Sequence, residues 1–308
     1  GRSPPGRSAS TLEHGGLHMT EFKHILFPVD FSAACIETAP QALEMARLFN
    51  SRLTALHVLN IVRSGYIDLD ASLVWLPEEI AEMKSAGQEH LNRFIREHLN
   101  YETIRSVVED GEPASVITSF VEREKVELVM LPTRGTGRLR RYMLGSVTAK
   151  VLYDCPCPVW TSAHTEQAGV QETPASPLLL CATNLEPAGA TLLRWASELA
   201  VKLSAALRVI HVVPAVEEES KNPGAVAVRD YLFEKAREKW NRVREEAGVD
   251  VDLCLAGGDI ARRVAAEAAR NKASTVAIAR GRLNKPFGGL RTQAYSIVRE
   301  SPCPVIAM

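Results

Sequence analysis

The sequence predicts an α/β protein made of two tandem doubly wound parallel-sheet domains, and three observations carry that expectation. Short apolar runs rich in β-branched residues alternate with amphipathic stretches of helical period. The alternation runs through the chain twice, and 308 residues suit two domains of ordinary size. Residues also recur in register. Asp30 to His57 and Asn184 to His211 are equally separated, and CPCPVW (155–160) closes the first half as SPCPVIAM (301–308) closes the second. Self-similarity over that length means duplication.

The elements follow in order. HILFPVD (24–30) is an apolar run ending in an acid, and further strands are expected near 53–59, 104–108, 127–131 and 157–161. Helices are expected between them near 33–49, 77–98, 113–124 and 145–153. In the second half LLLCATN (178–184) and ALRVIHVVP (206–214) flank a helical pattern over 188–203. Continuous apolar strands separated by helices indicate a parallel sheet covered on both faces, joined by right-handed crossovers. The expected division is a leader or tag over 1–18, a first domain over 19–163, a polar linker over 164–176 and a second domain over 177–308. The terminal apolar strands, CPVWTS (157–162) and CPVIAM (303–308), are expected at the edge of each half. There they invite self-association, between halves or between chains.

Composition narrows the partners. The net charge of −1 gives no reason to expect nucleic acid, and no run of apolar residues is long enough for a membrane helix. The N-terminal stretch lacks the apolar core of a secretory signal, so a cytoplasmic location is expected. Six cysteines without a repeating framework read as buried thiols in a reducing compartment. Cys155-Pro-Cys157 is neither a CxxC redox pair nor a zinc knuckle, and reads as core. His57 and His211, in apolar strands, read as satisfied core histidines. His90 and His98 lack an HExxH pattern, so no metal site is expected. The 63–77 segment, which holds Trp75, is a long insertion after the second strand, suited to cover a ligand or meet a partner.

In doubly wound sheets ligands sit outside the carboxyl ends of the strands. There Asp30, Val58, Leu131 and the segment PTRGTGRLRRYMLGSVT (132–148) are expected to converge. Glycines let a chain curl its N–H groups around phosphate, and a helix N-terminus attracts anions. Gly135 and Gly137 suit the first task. Gly145 and Ser146 suit the second, with Ser146 able to cap the helix and Gly145 admitting a phosphate to the backbone. Arg134, Arg138, Arg140 and Arg141 add positive charge. Neither GxxxxGK[ST] nor GxGxxG is present, which excludes an ordinary P-loop or dinucleotide fingerprint. Spacing alone leaves a capped helix with a solvated basic turn equally open.

Both halves resemble universal stress protein domains, over nearly all of 22–162 and less sharply over 177–308. Nucleotide-binding members of that family carry Gly-x2-Gly-x9-Gly-[Ser/Thr] after the fourth strand. Gly135, Gly145 and Ser146 match, while Pro132 stands at the first glycine and supplies no N–H. The resemblance implies an ATP site in which Asp30 and Val58 hold the adenosine end and Gly145, Ser146, Val147 and Thr148 hold the phosphates. The second half departs further. Asn184 replaces the acid, and Arg291-Thr292 stand where Gly145-Ser146 are expected at a helix start, so that site reads as degenerate. The expected function is ATP binding in the first domain, acting by conformation or partner choice. One alternative is a slow Mg²⁺-dependent ATPase, with Asp30 and Thr148 as the nearest oxygen ligands; another is a nucleotide-independent scaffold or chaperone-like dimer. No Ser-His-Asp or Cys-His constellation suggests other catalysis.

Overall fold

A computed structural model describes residues 21–60, 77–101, 103–133, 144–163, 176–186, 188–214, 222–280 and 289–308, excepting the side chains of 289–292. The first half runs β1 (His24–Pro28), α1 (Ala33–Phe49), β2 (Arg52–Leu59), α2 (Pro77–His98), β3 (Ile104–Asp110), α3 (Pro113–Glu124), β4 (Leu128–Leu131), α4 (Ser146–Asp154) and β5 (Val159–Thr161). The second repeats it: β6 (Leu178–Ala182), α5 (Ala188–Lys202), β7 (Ala206–Val213), α6 (Pro223–Ala247), β8 (Leu253–Gly257), α7 (Ile260–Arg270), β9 (Thr275–Ile278), α8 (Gly289–Glu300) and β10 (Val305–Ala307).

The strands form one ten-stranded sheet in the order β3-β2-β1-β4-β5-β10-β9-β6-β7-β8. Each half is internally parallel. The halves meet where β5 and β10 pair antiparallel, with Ile306 opposite Trp160. The expected half-sheet edges therefore lie together in the middle of the sheet, and each covers the other's unpaired backbone groups.

Strand alternation explains the layers. Ile25, Phe27, Leu53, Leu128 and Met130 face one core with α1 and α2, while Leu26, Leu56, Val129 and Leu131 face another with α3 and α4. Each core continues into the second half, through Leu192 and Trp240 on one face and Val264 and Val298 on the other. Burying a side chain such as Phe27 or Ile306 contributes about 1.5–3 kcal/mol.

Helix starts are fixed locally. Ser32 accepts the Cys35 N–H at 3.1 Å to cap α1. Glu112 caps α3, receiving the N–H groups of Ala114 and Ser115 at 3.3 and 2.9 Å. The turn before α3 needs Gly111, at φ 142°, because a Cβ there would lie 2.8 Å from Val116 Cγ2. Its counterpart Gly258, at φ 116°, makes the equivalent turn before α7. No helix among the described residues is long and apolar enough to cross a membrane.

Candidate functional site

Strand order reverses between β1 and β4, and the crevice at their carboxyl ends is where such sheets take ligands. Asp30 lies two residues beyond β1 and is exposed; Val58 is half-buried near the end of β2. Leu131 is the last residue of β4 and is buried beneath the crevice. Helix α4 begins at Ser146 at the same end of the sheet. The strand ends that carry Asp30, Val58 and Leu131 and the helix start at Gly145–Thr148 thus lie at the same end of the sheet. Gly135, Gly137 and the arginines of 134–141 lie outside the described residues, as does the 63–76 part of the insertion.

Three details of the expected site change. The residue capping α4 is Gly145, not Ser146, and this cap makes no side-chain hydrogen bond to the helix end. Ser146 sits one position inside, exposed, as the first helical residue. Thr148 is only 5% exposed, and its hydroxyl donates to the Pro132 carbonyl at 2.9 Å. That hydroxyl pins the strand-end segment to the helix. The Gly145 N–H is also engaged, donating to Thr133 at 2.9 Å. What remains for an anion are the N–H groups of Ser146, Val147 and Thr148, which an α-helix leaves without intrahelical acceptors. Gly145 itself has φ −58° and ψ 142°, an ordinary extended conformation. Its value at the helix start is the absence of a side chain, not access to a left-handed turn.

Opposite this helix end, one Asp30 oxygen accepts the Ser32 N–H at 3.0 Å, closing an Asx turn. The intervening Phe31 adopts φ 61°, a left-handed conformation rare for an aromatic residue. Its ring packs 4.5 Å from the His57 ring and 5.9 Å from that of Phe94. His57 Nδ1 lies 2.7 Å from the Val29 carbonyl and so must carry the proton. Burial first, opposed by that hydrogen bond, lowers its pKa. His211 repeats the arrangement with Thr183 at 2.8 Å. Both histidines buttress the turn after the first strand of their half, which is the core role expected of them. Phe31 was not singled out by sequence reading. The signal lay in the matching triplets Asp30-Phe31-Ser32 and Asn184-Leu185-Glu186, where Leu185 is also left-handed at φ 56°.

The second half keeps the turn but changes the helix end. Asn184 accepts the Glu186 N–H at 3.2 Å, as Asp30 does in its turn. Helix α8 starts at Gly289, so Arg291 lies inside its first turn and does not stand at the cap. The expectation that no glycine remains at this helix start is therefore corrected. Compared in register from the shared CPV ends, α8 extends three residues further toward the crevice than α4, about 4.5 Å at the helical rise. The two halves thus differ in where this helix begins, while a cavity of about 220 Å³ lined by Pro214, Asp259, Gln293 and Ser296 remains beside α8. No cluster of three or more His, Cys, Asp or Glu suited to a metal occurs among the described residues.

The class these features define is a duplicated doubly wound α/β protein whose first half places a glycine-capped helix start at its switch point. The model of the Universal stress protein family matches residues 21–162 and again 178–308, and the chain belongs to that family. A universal stress protein of Methanocaldococcus jannaschii is 32% identical over 140 residues, spanning 45% of this chain and 80% of that protein. Another from Synechocystis is 29% identical over 145 residues, spanning 47% of this chain and 87% of that protein. The tandem fold has a solved counterpart in a universal stress protein from Archaeoglobus fulgidus. Its TM-score is 0.63 at 19% identity, covering 94% of this chain and 97% of that one.

Proposed function

We propose that the protein binds one ATP in its first half, with the phosphates at the N-terminus of α4 and the adenosine end between Asp30 and Val58. The observation that carries this reading is the bare start of α4. Among the helices of the first half whose cap residue is described, α1 is satisfied by Ser32 and α3 by Glu112, whereas the Gly145 cap of α4 makes no side-chain hydrogen bond; the residue before α2 lies outside the described residues. Its open N–H groups and helix dipole favour an anion. Asp30 keeps one oxygen without a protein partner among the described residues and is placed to accept hydroxyl or amine protons. Residues 19–163 form the binding unit, and 177–308 acts as its structural partner.

Signalling by conformation or partner choice, not hydrolysis, is the preferred output. Binding and signalling need no catalytic group beyond those that hold the ligand, and the fold alone does not imply hydrolysis. Any Mg²⁺ entering with ATP would be held by the phosphates and by Asp30. The experiment is calorimetry on Gly145→Val. A Cβ branch at the helix start blocks phosphate approach while its backbone conformation remains ordinary, so ATP affinity should fall at least about tenfold, the loss of one charge-assisted contact. Unchanged affinity in a folded variant overturns the proposal.

A further inference from the structure

The loop joining α4 to β5 holds two thiols that the nucleotide reading does not use. Cys155 Sγ and Cys157 Sγ lie 3.6 Å apart, and both residues are buried. Arg280, from the second half, reaches across to this loop. Its guanidinium donates to the Cys155 carbonyl at 2.5 Å and to the Cys157 carbonyl at 2.7 Å, while its own N–H bonds to Met308. A full positive charge is thereby fixed beside the sulfur pair at the join between halves. Cys157 also lines a cleft of about 370 Å³ between the halves, together with Phe22, Val126, Pro158 and Trp195.

The duplication supplies an internal comparison. The equivalent loop of the second half reads Ser301-Pro302-Cys303, with the Ser301 oxygen 3.7 Å from the Cys303 sulfur. The same loop geometry is thus built with serine in place of the first cysteine. The position equivalent to Arg280 is Thr133, an uncharged residue whose N–H and hydroxyl bond to Ser162 and Ala163. The charged residue occurs on the side that has two thiols and not on the side that has one.

We propose that Cys155 and Cys157 are a redox site, oxidised to a disulfide by hydrogen peroxide or a small organic hydroperoxide entering through the cleft. The hydrogen bond from the Cys157 thiol, and further the Arg280 charge, lower the Cys155 pKa against its burial, and the same contact raises that of Cys157. The first attack falls to Cys155, whose own carbonyl holds the Arg280 guanidinium that favours its ionisation, while Cys157 lies at the cleft wall. Its sulfur bonds to the terminal peroxide oxygen, the O–O bond breaks, and the leaving oxygen takes a proton to depart as water or alcohol. Cys155 is then a sulfenic acid. Cys157 attacks it after losing its own proton, the S–S bond forms, and the S–O bond breaks with loss of water. Two thiols and one hydroperoxide give one disulfide, one water, and a second water or an alcohol. The sulfurs close from 3.6 Å to about 2.05 Å, a movement that the two-residue bend must absorb. Because the same loop holds Arg280, the change falls where the two halves join.

The test exposes the full chain to stoichiometric hydrogen peroxide, alkylates under denaturing conditions and weighs the product. The expected product has lost two hydrogens and carries two fewer alkyl groups than the six free cysteines allow, with the loss localised to the peptide containing 155–157 and reversed by dithiothreitol. Cys155→Ser, which the second half shows the loop accepts, should fold by circular dichroism and form no intramolecular disulfide. Arg280→Lys, which gives up the forked contact to both carbonyls and sets the charge off the sulfur pair, should oxidise about tenfold more slowly. Wild-type protein that keeps both thiols in the 155–157 peptide while its other cysteines are oxidised overturns the proposal, whether or not the variants fold. Oxidation of Arg280→Lys at the wild-type rate removes Arg280 from it.

Discussion

Asp30 and Asn184 occupy the same turn in the two halves, and together they separate what the fold requires of the position from what a ligand requires. Either side chain accepts an N–H two residues on, so the turn and the left-handed residue inside it survive the change. Asp30→Asn should therefore leave the melting temperature within a degree or so while weakening ATP binding by about 1.5 kcal/mol, roughly tenfold, for a lost charged hydrogen bond. A melting scan and a titration on one preparation check both halves of that expectation. Glu112 shows the opposite emphasis. It caps α3, accepts from the Ser115 hydroxyl at 2.6 Å and pairs with Lys150 at 2.9 Å. The Ser115 hydrogen bond first, and then Lys150, lower its carboxyl to about 2 from 4.5. A depressed carboxyl stabilises the folded state above its unfolded value, and that contribution fades as pH falls from 4.5 toward about 2. Glu112→Ala should cost about 1 kcal/mol at neutral pH, with the gap from the parent narrowing below pH 4.5 in urea titrations.

At the scale of elements, the helix α4 unites the sequence reading and the site. Its start was legible to within a residue, because Gly145-Ser146 follows a strand and precedes a helical pattern. Which of the two residues capped it was not legible, since both are accepted at that position. The buried Thr148 hydroxyl was also hidden: a threonine in a phosphate-binding run looks the same in sequence whether it faces a ligand or Pro132. In the second half the helix begins at Gly289. Register carried back from the final strand placed its start at Arg291, two residues too late. Pro40 illustrates tolerance of another kind, because α1 continues through it although one internal hydrogen bond is lost. These points lead to a variant with opposite effects on stability and binding. Gly145→Asp supplies the missing cap and a charge that suits the helix dipole, so stability should rise by about 1 kcal/mol. The same carboxylate occupies the anion position, so ATP binding should be lost. Denaturant titration alongside calorimetry reads both effects, and a variant that gains stability while binding normally would locate the phosphates elsewhere.

Across the whole molecule, the antiparallel seam decides how two copies of one fold become a single body. Strand types and the duplication were readable from alternation and register, and so was the apolar character of the terminal strands. Arg280 was not, because its role depends on carbonyls far away in the chain that only the seam brings near it. The seam should be sensitive to charge: Ile306, 1% exposed and opposite Trp160, cannot keep a lysine ionised without disrupting the pairing. Ile306→Lys should therefore cost about 3 kcal/mol or more, read from the urea midpoint, whereas loosely apposed halves would leave that midpoint unchanged.

The duplication also frames the central question of function, since two equivalent folds could hold two nucleotides. The first half combines Asp30 with a short, glycine-capped α4. The second combines Asn184 with a helix that begins about a turn earlier. Equilibrium dialysis of the intact chain against radiolabelled ATP measures the outcome directly. A stoichiometry of one per chain, abolished by Gly145→Val, is the expected result. Two per chain, or saturable binding that survives Gly145→Val, would contradict it.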